Sequence, residues 1–216
     1  MSSRAALIAD AEKSLRQARS AFDAGAINIS RTEVDKGRYK TDLQNTPWAH
    51  FVSKADYSYF VARILLAQGI QLYGLFCAHQ CVEVYLKALL RKAGVSIPQT
   101  HKLLDVLRAA RMADPTNTSF LHEADAETIC LRFEPFYEIA RYPAQISRPE
   151  GGSMWASGVD EKFIDYFVYQ MRQLLVLPAG SWDILSSLGH QDLEHVSALS
   201  AQAQALFTRD NLNCVN

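Results

Sequence analysis

Between Gln71 and Ala93 the chain reads QLYGLFCAHQCVEVYLKALLRKA, a run of apolar residues interrupted at helical intervals. Such a segment is apolar around most of a helical circumference, so it must lie among other helices rather than on the surface of a layer. The exception is a polar stripe, in which His79, Glu83 and Lys87 recur every four residues and share one face. Taken alone, Glu83 and Lys87 describe an i,i+4 ion pair worth about 0.3 kcal/mol beside an interior histidine. Arg91 and Lys92 before Gly94 suit the helix C-terminus. A helix this apolar exceeds what one small bundle readily covers, which predicts a homodimer.

Helical periodicity recurs on both sides. Leu7, Ile8, Ala11, Leu15, Ala18 and Phe22 predict an amphipathic helix ending near Gly25, followed by a long polar connection to Pro47-Trp48. Tyr57, Phe60, Val61, Ile64 and Leu65 predict a second helix closing at Gly69. After the Pro98 connector, Thr100 is placed to cap a fourth, with Leu103, Leu104, Leu107 and Met112 as its core face. A fifth spans about Phe120 to Arg141, with a kink or restart at Pro135. Ser157 and Asp160 frame a sixth that runs to Pro178, and a weak helix is expected around Leu193 to Phe207.

No hairpin signature and no internal repeat interrupts this pattern. The expectation is an all-α fold: an up-and-down antiparallel bundle of four to five helices with additional N- and C-terminal helices. The divisions are 1–49 for the N-terminal helix and connection, 50–178 for the bundle and 179–216 for the C-terminal extension.

Several chemistries lack their required spacing. There is no phosphate-binding glycine loop and no dinucleotide fingerprint. His122-Glu123 opens like a zinc-protease helix, but Ala126 stands where the second histidine belongs. His79 points about 200° away from its neighbours Cys77 and Cys81, so the three cannot share a metal. Neither a metal nor a cofactor is expected. The four cysteines are scattered, and no segment reaches the length of a membrane span, which places the chain in the cytoplasm. A formal net charge of -1 gives no overall attraction for nucleic acid, so such binding requires a local patch.

The ordered set Gln80, Glu83 and Lys87, then Thr100-His101 after a proline connector, then Arg141-Tyr142-Pro143 ending a later helix, resembles the HEPN family. The resemblance covers about Phe51 to Leu177. It implies a helical bundle, commonly a two-fold dimer, that associates with nucleotide or RNA or docks a minimal nucleotidyltransferase partner, in settings such as toxin-antitoxin or defence systems. The chemistry of the residues themselves is compatible with this and gives a candidate ligand site of Glu83, Lys87, His101, Lys102, Arg141 and Tyr142, with His79 as a secondary candidate. Lys87, Lys102 and Arg141 are suited to phosphate, Tyr142 to stacking on a base, and Glu83 to orienting Arg141. The Arg-x4-6-His pair of the family's ribonucleases is absent, since Ile146, Ser147 and Arg148 follow Arg141. Three functions stay open: a binding module, a metal-independent ribonuclease using His79 or His101 near Arg141, and a purely structural dimerisation module. No catalytic residue is assigned.

Overall fold

A computed structural model describes residues 46–142 apart from 115 and 117, residues 159–181, 183, 185 and 201–214, and Ile8, Glu12, Lys13, Arg16, Gln17, Ser20 and Ala24. The chain forms two units, Met1–Leu43 and Gln44–Asn216. In the first, the described residues from Ile8 to Ser20 are helical, and Glu12 and Arg16 approach to 3.8 Å one turn apart on its exposed surface. The connection expected before Pro47, Pro143, the glycine loop, the Ser157 cap and the start of the expected tail helix lie outside the described residues.

The second unit is built on α1 (Trp48–Ala67) and α2 (Gln71–Lys92), an antiparallel pair joined by a turn at Gly69, which adopts φ +75°. The pair packs closely because Gly74 has no side chain: a Cβ there would stand 2.8 Å from Leu66 Cγ. Further elements are α3 (Leu103–Ala113), a 3-10 turn (Phe120–His122), α4 (Ala124–Phe133), α5 (Phe136–Ile139), α6 (Val159–Leu174), α7 (Ala201–Thr208) and a final 3-10 turn (Leu212–Cys214). Among the described residues there is no strand, and no helix is long and apolar enough to cross a membrane. The bundle is all-helical, as the periodicities require.

α2 runs through the centre, packed against α1, α3, α4, α5 and α6. Leu75, Ala78, Cys81, Val82, Tyr85, Leu86 and Leu90 are fully buried there. Helices of the same chain thus cover most of this apolar circumference, with Tyr73 left 56% exposed, so the apolarity of α2 is largely accounted for within one chain. Two core faces also differ from expectation. In α1 the buried stripe is Val52, Ala55, Asp56, Tyr59, Phe60, Arg63 and Leu66, while Tyr57 is exposed. In α3 it is Leu103, Val106, Leu107 and Ala110, and Met112 is 86% exposed, since five residues beyond Leu107 carry it about 140° round the helix.

The C-terminal elements complete the core. Phe207 is fully buried against Tyr59 and Phe60, with ring centroids 5.4 and 5.0 Å away. Beyond it, Asn211 Oδ1 and Asp165 Oδ1 each lie 2.7 Å from the Tyr59 hydroxyl, and Arg63 donates to the Arg209 carbonyl at 2.6 Å.

Candidate functional site

The polar stripe of α2 faces the connector between α2 and α3. Glu83 is 4% exposed, and its carboxylate gathers two partners. Lys87 Nζ sits 2.5 Å from Oε1 and donates a second bond to the Thr100 carbonyl at 3.0 Å. His101 Nδ1 lies 3.1 Å from both carboxylate oxygens. His79, fully buried, places Nε2 2.9 Å from the His101 carbonyl. A carbonyl accepts, so Nε2 carries the proton and Nδ1, 3.8 Å from Glu83 Oε2, is bare. Burial lowers His79 to a pKa of about 4, which keeps it neutral. The stripe therefore fixes the Thr100-His101 dipeptide from beneath.

The opposite wall is the segment Glu134–Tyr142. Pro135 opens α5 in helical geometry, with φ -64° and ψ -25°, so the fifth expected helix divides there. Glu134 Oε2 accepts from the Leu104 amide at 3.0 Å, and this carboxylate, from another helix, satisfies the first turn of α3. Thr100 does not cap α3 as expected. Its Oγ1 accepts instead from the Lys102 amide at 3.1 Å, tightening the turn that precedes the helix. Arg132 grips Asp160 on α6 through two bonds of 2.7 and 2.8 Å and covers the ring of buried Phe136.

Tyr137, which the sequence reading omits, joins the two walls. Its ring stacks on His101 with centroids 4.2 Å apart and planes 15° apart, and it reaches His79 at 5.3 Å and Phe76 at 6.3 Å. One turn later, Arg141 lies with Cζ 4.8 Å from the Tyr137 ring and donates from Nη1 to the Tyr137 hydroxyl. Its guanidinium is also 5.8 Å from the Tyr142 ring, which is 52% exposed. The spacing of Tyr137 and Arg141, four residues apart in FYEIAR, was the available signal.

The expected pairing of Glu83 with Arg141 gives way to a nearer one. Lys87 stands one turn along the same helix and His101 is delivered onto the carboxylate by the connector, so Glu83 is already engaged. The candidate residues consequently divide into two layers. Glu83, Lys87 and His79 form a buried or half-buried floor. His101, Lys102, Arg141 and Tyr142 are exposed above it. Lys87 offsets Glu83, and the exposed layer carries the cations Lys102 and Arg141, with Glu134 and Glu138 on the same segment as Arg141. Among the described residues, no cluster of three or more His, Cys, Asp or Glu side chains can hold a metal ion.

The family model described as HEPN domain matches residues 48–174, more than half of the chain. No curated protein and no solved structure matches it.

Proposed function

Because the chain belongs to the HEPN domain family, whose functions concern nucleotides and RNA, we propose that it binds the phosphate of a nucleotide or RNA on the surface formed by His101, Lys102, Arg141 and Tyr142. The observation that carries this reading is the posture of Arg141. Its guanidinium stands on the Tyr137 ring, and among the described residues one of its five N–H donors is directed to the Tyr137 hydroxyl. A fork fixed in this way presents paired donors to phosphate without first losing side-chain freedom. Lys102 adds a second cation, Tyr142 offers a face for a base, and the floor holds the connector that carries His101 in register.

Calorimetric titration with a nucleoside triphosphate and with a short single-stranded RNA tests the reading. Arg141→Ala is expected to weaken binding by about 10- to 100-fold, the usual worth of charge-assisted bonds. Its melting temperature should stay close to that of the parent, because Arg141 is exposed. Equal affinity in parent and variant, or no binding to the parent, contradicts it.

The contact between Glu83 and His101 favours a second reading, metal-independent RNA cleavage. A carboxylate on Nδ1 orients an imidazole so that Nε2 meets the substrate, and Arg141 would stabilise charge on the phosphate. On that reading His101→Gln lowers cleavage by about 10²- to 10⁴-fold while leaving affinity nearly intact. Pairing of two copies, and docking of a minimal nucleotidyltransferase in a toxin-antitoxin or defence setting, are partner roles that rest on family membership alone.

A further inference from the structure

Where the C-terminal elements meet the bundle lies a buried polar cluster that the ligand surface does not use. Its centre is the hydroxyl of Tyr59 on α1, fully buried together with Asn211, and Asp165 on α6 is 3% exposed. Among the described residues three side chains reach this hydroxyl: Asp165 Oδ1 and Asn211 Oδ1, each at 2.7 Å, and Asn213 Nδ2 at 3.0 Å. Neither amide can be turned about. Asn211 Nδ2 donates to the Phe207 carbonyl at 3.0 Å, while its Oδ1 accepts the Asn213 amide at 2.9 Å. Asn213 Nδ2 also donates to the Asp165 carbonyl at 3.0 Å.

A phenol has one hydrogen and two lone pairs. Asn213 occupies one lone pair, and the hydrogen can serve only one of the two oxygens. The other oxygen would then make a buried 2.7 Å contact between acceptors, which is costly. A proton on Asp165 removes the conflict. Asp165 then donates to Tyr59, Tyr59 donates to Asn211, and every group in the chain is satisfied.

We propose that Asp165 is protonated in the folded protein and that this proton latches the C-terminal elements to the bundle. When it leaves to solvent, the Tyr59 hydrogen turns to the carboxylate, the stronger acceptor, and Asn211 loses its bond. The groups facing Asp165 are Tyr59 and Arg63 from α1, Glu161 from its own helix and Cys214 from the final turn. Arg63 Nε stands 3.3 Å from Asp165 Oδ1 without forming a hydrogen bond, whereas Nη1 donates to Glu161 and Nη2 to the Arg209 carbonyl. Glu161 thus balances the one arginine, and an ionised Asp165 would bury a second negative charge against it. In keeping with this count, burial, partly offset by Tyr59 and Arg63, raises Asp165 from 3.8 to about 6. The latched form holds a proton that a released, hydrated form gives up. Release becomes easier as pH rises above the ordinary carboxyl range and levels off once both forms are ionised.

The carbon-13 resonance of the Asp165 carboxyl, followed with pH in the full chain, reads the proton directly. It should keep the shift of a carboxylic acid at about pH 5, where an ordinary aspartate of pKa about 3.9 is about nine-tenths ionised. Hydrogen exchange at the Asn213 amide, corrected for the intrinsic pH dependence of exchange, reads the latch, because that amide donates to Asn211 Oδ1. Its protection should fall with rising pH by about tenfold for each unit by which the carbon titration places Asp165 above about 3.9. The Val95 amide, bonded to the Leu90 carbonyl just past α2, should show no such fall. Asp165→Asn offers Tyr59 an N–H in place of the acid, so it should keep the protection at Asn213 and abolish its pH dependence. Tyr59→Phe removes the relay and should lower protection at every pH. A carboxylate shift at about pH 5, an unchanged pH profile or lost protection in folded Asp165→Asn, or parental protection in Tyr59→Phe overturns the proposal. Should Asp165→Asn not fold, the carbon titration and Tyr59→Phe decide it.

Discussion

Replacing Glu83 by alanine should lower stability by about 3–5 kcal/mol, the cost of leaving one member of a buried ion pair without its partner. Lys87 would keep only the Thr100 carbonyl, and its side chain, 13% exposed, has little access to water. His101 would lose both contacts at Nδ1. A shift of several degrees in thermal melting should follow for a domain of this size. Glu83→Gln should cost less, since the amide oxygen can still accept from Lys87 while the shape is preserved. Were Glu83 an ordinary exposed partner of Lys87, the alanine variant would melt within a degree or so of the parent, at the few tenths of a kcal/mol such pairs contribute. Chemical denaturation of the two variants beside the parent separates these outcomes.

Phe207→Ala should be comparably severe, at about 3–5 kcal/mol. The ring is fully buried and contacts both Tyr59 and Phe60, so its removal opens a cavity between α1 and the C-terminal elements. The loss should spread, because α7 leads into Asn211 and Asn213, which bond the Tyr59 hydroxyl and, at 3.0 Å, the Asp165 carbonyl. Ala203→Gly on the same helix should cost only about 1 kcal/mol, the ordinary helix penalty. Similar small losses in both variants would mean that the C-terminal elements lie on the bundle without completing it.

How much of this was legible in the sequence depended on the range of each interaction. The α2 stripe was readable because helical geometry places residues four apart on one face, and the proline connector marked where Thr100-His101 would re-enter the bundle. Tyr137 was not, since an aromatic residue on an amphipathic helix reads equally well as core packing, and only the tertiary fold sets it against His101. The partner assigned to Glu83 failed for the same reason: carboxylates pair with the nearest cation in space, and Lys87 occupied that place. The covering of α2 depended on five other helices, which local periodicity cannot count. Asp56 was similarly hidden. A lone aspartate in an amphipathic segment reads as solvent-facing, and its burial is explained by Tyr85 from the neighbouring α2 and Arg172 from α6.

The phosphate recognition proposed for the His101, Lys102, Arg141 and Tyr142 surface makes a prediction for individual side chains. Nuclear magnetic resonance of the His101 and Arg141 side chains, recorded while a short single-stranded RNA or a nucleoside triphosphate is added, observes that surface without mutation. The account predicts that the largest shifts occur at the His101 imidazole, the Arg141 guanidinium and the Tyr142 ring, while the Trp48 indole and the Tyr57 ring of α1 move little. Shifts concentrated at Trp48 and Tyr57, or no shift at His101 and Arg141 as ligand saturates, would contradict it.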